Sequence, residues 1–175
     1  DDKVDLTTSA PRPGTSDFSI SFWLSGLVNM SDRRMFGTEA GVTTAWSLHG
    51  ESSDTTLRWN GTLTAISSAL PNSGTWGDGT VRHVVISADR SGNLVYYLNG
   101  AVLSSHDISS HSAVDFSYIR YIGSYNNAAS GEFAQMNTFD ELSQYNVALS
   151  ATEAQELFND GVALDATTHS KVDYL

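Results

Sequence analysis

The sequence predicts an all-β protein, two antiparallel sheets packed as a sandwich, with one short helix near the C-terminus. Three observations predict it. Apolar and polar residues alternate with period two over short runs, as in Phe18-Ser-Ile-Ser-Phe22. Asn-Gly pairs at 60–61 and 99–100 stand between β-type runs, and both residues accept the positive φ of a tight hairpin turn. One stretch alone, Ser150-Ala-Thr-Glu153, carries a capping box, the signature of a helix start.

Taken in order, Val4 and Leu6 alternate with Lys3 and Asp5, which reads as a short half-buried strand. Residues 7–17 hold two of the three prolines and read as a loop. Phe18, Ile20, Phe22 and Leu24 then share one face of a strand, with Trp23 pointing the other way. Strands are expected at 35–37 and 45–48, and Leu57–Trp59 and Leu63–Ile66 flank the first Asn-Gly turn. The loop from 71 to 79 contains Trp76. From Thr80 to Ser105 three apolar runs are separated by Asp89-Arg-Ser-Gly-Asn93 and by Asn99-Gly100, the centre of a meander. Further strands are expected at 118–123 and within 133–145, around a polar loop at 124–131. The helix that Ser150 starts has an apolar side in Leu157 and Phe158, and Gly161 is positioned to stop it. Residues 1–161 thus form one domain. The weakly patterned 162–175 reads as a linker, and an opening at Asp1 without methionine reads as a module of a longer polypeptide.

Twenty acidic against nine basic residues give a net charge of −11, and only Lys3 and Lys171 are lysines. Phosphate-based nucleic-acid binding needs clustered Lys and Arg, so it is excluded as a partner class. No run approaches 18 apolar residues, so no membrane insertion is expected. Without cysteine there are no disulfides and no thiolate metal sites. Acidity with a Ser-, Thr-, Asn- and Gly-rich polar complement suits a turn-rich β protein, or one that meets a divalent cation or a neutral glycan.

The order of motifs resembles the laminin G-like, concanavalin A-like jelly rolls. The strand Asp17-Phe-Ser-Ile-Ser-Phe-Trp-Leu24 is similar to an early strand of that family. Arg82-His-Val-Val-Ile-Ser-Ala-Asp89 followed by the Tyr97-Leu-Asn-Gly100 hairpin is similar to its central pair, and Tyr121-Ile-Gly-Ser124 to the strand end that follows. Phe139 to Glu153 resembles its terminal strand running into the capping-box helix. Where the family usually has Trp before the central His, this chain has Arg82 before His83. The resemblance implies a jelly-roll fold. Sandwiches of this type often carry one structural calcium, for which Asp140 and Asp17 are the candidate ligands, because first and last strands pair in jelly rolls.

The glucanase pattern Glu-x-Asp-x-x-Glu is absent, Glu51 and Asp54 fall in a Ser-rich turn, and there is no Gly-x-Ser-x-Gly. His83 in its β-branched strand reads as structural, and His106 and His111 lack zinc spacing. Sugar rings stack on aromatic faces while Asn, Asp and Arg fix their hydroxyls, so the candidate ligand-binding residues are Trp76, Trp59, Trp46, Tyr125, Asn126 and Arg58. The function expected is a non-catalytic recognition module of a larger extracellular, cell-surface or virion-surface protein, with a glycan or a neighbouring protein subunit as partner. The alternatives are a structural or decoration domain of a multi-subunit assembly, and a glycan-cleaving enzyme.

Overall fold

The computed structural model describes residues 4–6, 12–26, 34–37, 46–51, 54–59, 66–71, 78–116, 119–123, 138–165 and 172–174; for 34, 46–47, 49–51, 54–59, 66–71 and 172–174 the description is of backbone and register. Within them lie two six-stranded antiparallel sheets. Sheet I comprises β1 (Val4–Asp5), β10 (Tyr121–Ile122), β3 (Arg34–Gly37), β4 (Trp46–Glu51), β5 (Asp54–Trp59) and β6 (Ile66–Pro71), in that spatial order. Sheet II comprises β12 (Val172–Tyr174), β11 (Thr138–Tyr145), β2 (Phe18–Ser25), β7 (Arg82–Ala88), β8 (Asn93–Leu98) and β9 (Ala101–Asp107). One α-helix, α1 (Ala151–Phe158), follows β11.

The period-two pattern does what it predicts on one side. Phe18, Ile20, Phe22 and Leu24 of β2 meet Val84, Ile86, Met35, Phe36 and Leu48 in the inter-sheet core, all at most 1 % exposed. Phe22 stands edge-on to Phe36, centroids 5.6 Å apart, an arrangement that the aromatic quadrupole favours. The meander forms with direct register, Val84↔Leu98 to Ala88↔Leu94, and Asn99 (φ 49) and Gly100 (φ 75) make the expected left-handed turn.

Four boundaries differ from the sequence expectation. The strand after the Asn60-Gly61 signal is Ile66–Pro71 rather than 63–66, with 60–65 outside the described residues. Glu51 and Asp54 are not turn residues but paired ends of β4 and β5. Helix α1 ends at Asn159 (φ 45), two residues before Gly161, because an asparagine tolerates the left-handed cap that glycine was expected to provide. Finally, Val172–Tyr174, within the stretch read as a linker, adds an edge strand to sheet II by pairing with β11.

The side of sheet II that faces away from the core is also buried. Every residue of β2 is buried, so both of its faces are covered. The covering comes from 146–158: Leu149, Ala154 and Leu157 form a second apolar cluster with Val85, Tyr97 and Tyr145. Beneath it lie six buried polar residues, Ser19, Ser21, Ser25, His83, Ser87 and Ser143.

Candidate functional site

A Ser–His pair lies under this cover. Ser21 Oγ and His83 Nε2 are 2.8 Å apart, the geometry of a nucleophile and its base. Its surroundings are wrong for catalysis. Ser21 is 4 % and His83 1 % exposed. The imidazole packs beside Trp23 (centroids 4.9 Å) and Phe158 (6.3 Å), which also stack on each other at 6.0 Å, and its Nδ1 has no hydrogen-bond partner to fix a tautomer. Burial pushes its pKa down to about 4, so it is neutral near pH 7. The pair is structural.

The serines around it are used on the covering segment. Ser19 Oγ donates to the Val147 carbonyl at 2.8 Å and accepts from the Leu149 N–H at 2.9 Å, while Ser87 Oγ donates to the Leu149 carbonyl at 2.8 Å. Sheet II is therefore covered on both faces along β2, while its edge strand β9 leaves Val102 exposed.

Sheet I carries a polar row. Across β10, β3, β4 and β5 the register aligns Tyr121, Gly37, Ser47 and Arg58; a second row aligns His49, Thr56 and Ser67. The two-residue period puts these strand positions out of phase with Leu48, which is wholly buried in the inter-sheet core, and at the β10 end of the row Tyr121 is itself fully buried. Trp46 and Trp59 are direct register partners, two residues from Leu48 and Leu57 and in phase with them. Of the six ligand-binding candidates, register thus brings Trp46, Trp59 and Arg58 to neighbouring positions. Trp76, Tyr125 and Asn126 lie outside the described residues. The polar row was missed in the sequence because its signal, alternation within Ser47 to Glu51, becomes visible only once register shows which strands are adjacent.

The two carboxylates expected to share calcium do not meet. Asp17 immediately precedes β2, whereas Asp140 pairs with Trp23, six residues along and about 20 Å away at strand rise. Each serves the backbone instead: Asp17 Oδ1 accepts the Arg90 N–H at 2.8 Å, and Asp140 Oδ1 accepts the Glu141 N–H at 2.9 Å. Calcium takes six to eight oxygens. Among the described residues no three or more acidic or histidine side chains gather to supply them. The residues do not fit the ion.

Residues 1–155 match the family model for laminin G domains of the concanavalin A-like lectin/glucanases superfamily. The chain belongs to this superfamily. No curated protein matches it. Among solved structures, this lectin-like domain is similar to the binding domain of Paraclostridial Mosquitocidal Protein 1 (19 % identity, TM-score 0.63, 86 % of this chain and 38 % of that one). It is also similar to a structure of botulinum neurotoxin type C, a toxin whose cell entry depends on interaction with two ganglioside molecules (17 %, TM-score 0.64, 82 % and 35 %). A third is the heptameric SAP-like pentraxin of Limulus polyphemus (14 %, TM-score 0.62, 89 % and 75 %). The lectin-like domain spans little more than a third of each toxin chain. The shared feature is the sandwich, and no helix among the described residues of this domain is long and apolar enough to cross a membrane.

Proposed function

We propose that this domain is a non-catalytic recognition module that holds a carbohydrate on the outer face of sheet I, in an extracellular or surface setting. The observation that carries the reading is the polar row of Ser47 and Arg58 with His49, Thr56 and Ser67 beside it. These residues donate and accept hydrogen bonds without adding net negative charge, the chemistry that sugar hydroxyls need. Trp76 and Tyr125, which the sequence pattern puts in loops, are the candidate stacking residues. Similarity to a toxin binding domain and to a toxin whose cell entry depends on gangliosides supports a binding role rather than turnover. Fold alone assigns no ligand, because one sandwich hosts many functions.

Screening the domain against a glycan array, then titrating the best glycan into wild type, Arg58→Ala and Trp76→Ala, tests this. A charged hydrogen bond is worth ~1.5–3 kcal/mol, so Arg58→Ala should weaken binding by about 10- to 100-fold. Silence across diverse glycans at millimolar concentration contradicts the proposal.

A further inference from the structure

The layer between residues 146–158 and sheet II is unlike the inter-sheet core. It contains buried serines that hold the backbone of 147 and 149, a histidine with one ring nitrogen unpartnered, and a Trp23–His83–Phe158 stack that joins the sheet to the end of α1. The apolar cluster beneath the cover is smaller than the inter-sheet core and is supplemented by serine hydrogen bonds that water can replace, so the cover separates at lower cost than the sheets do. We propose that residues 146–158 form an acid-released strap, latched by neutral His83, whose opening bares Ser19, Ser21, Trp23, His83 and Tyr97.

Protonating His83 in the closed state puts a charge in a layer where the ring is only 1 % exposed, with no acceptor at Nδ1 and with Ser21 at Nε2. Once the strap lifts, water solvates both nitrogens. The titratable and charged groups on the elements packed around it are Tyr97 on β8, Glu153 and Glu156 on α1, Tyr145, Asp140 and Glu141 on β11, and Arg82 on its own strand, paired with Asp78 ahead of that strand. Burial, not any of these charges, sets its proton affinity. The closed state therefore resists the proton, and lowering the pH favours opening.

Hydrogen exchange tests this, read as protection factors so that the intrinsic pH dependence of exchange cancels. The helix amides of 154–158 should be less protected than Val84–Ile86 at pH 7. They should lose about 20-fold in protection between pH 7 and pH 5, the linkage expected for an imidazole moving from its ordinary value to about 4. His83→Phe, which preserves the aromatic stack, should abolish that loss. Glu153→Gln, which alters the capping box, should leave it intact. Equal protection of α1 and β7 at both pH values would show one cooperative unit and overturn the strap. So would persistence of the loss in His83→Phe, or its disappearance in Glu153→Gln. Should His83→Phe not fold, the wild-type pH profile decides: α1 protection should be nearly flat above pH 7 and fall progressively from about pH 6.5 towards pH 5, and a flat profile from pH 7 to pH 5 overturns the proposal.

Discussion

Ser21 Oγ and His83 Nε2 meet at 2.8 Å in a layer with almost no solvent access. The contact resembles a catalytic dyad, but its role is to satisfy a ring nitrogen that would otherwise be buried and bare. Removing the hydroxyl with Ser21→Ala leaves both ring nitrogens without a protein partner, which costs about 1–3 kcal/mol. Urea unfolding at pH 7 should show the midpoint falling with the slope unchanged.

The same histidine gives stability a pH dependence. Its folded pKa, about 4, lies below its ordinary value of 6.5, so the unfolded chain binds more protons in between. Stability is therefore greatest above pH 6.5, falls as the pH drops towards 4, and levels off below. The loss is on the order of 3 kcal/mol. Urea midpoints measured from pH 7 to 4 should fall more steeply in wild type than in His83→Phe.

Gly100 sets how closely the β8–β9 turn approaches α1. At φ +75 it lies where side chains are strained, and an added Cβ would meet the Gln155 side chain at 2.6 Å and its Cα at 3.1 Å. Gly100→Ala should destabilise by more than 1 kcal/mol, with the helix displaced, observable as a lower Tm and weakened helical circular dichroism.

Arg90 holds the loop after β9. Its Nη2 donates to the carbonyls of His111 at 2.7 Å and Val114 at 2.7 Å, and its guanidinium lies 4.6 Å from the Phe116 ring centroid. Arg90→Met keeps the stem but removes the donor from these half-buried carbonyls, a loss of about 1–3 kcal/mol in urea unfolding. Arg90→Lys should recover only part of it, because an ammonium lacks the planar face that the guanidinium lays over Phe116.

Much of the fold was legible in the sequence because it rests on local chemistry. Asn99-Gly100 fixed the central hairpin, and Ser150 with Glu153 fixed the helix start: Ser150 N–H donates to the Glu153 carboxylate at 2.8 Å. The second buried layer was not legible. Ser19, Ser21 and Ser87 alternate with apolar residues as a solvent-facing strand would, and only the return of 146–158 across them makes them interior. Asp140 illustrates the converse. An acid within a largely apolar run suggested a metal ligand, yet it is exposed and serves the irregular register between Asp140 and Ser143, where Glu141 has φ 52. Residue spacing cannot reveal which loop will cross a sheet, nor where a strand will bulge.

Chemical-shift mapping with the best array glycan tests the central claim most directly. Perturbed amides are expected at Ser47, Thr56 and Arg58 on sheet I, with Val84–Ile86 of sheet II unmoved. Perturbations confined to sheet II, or none at saturating glycan, would contradict it.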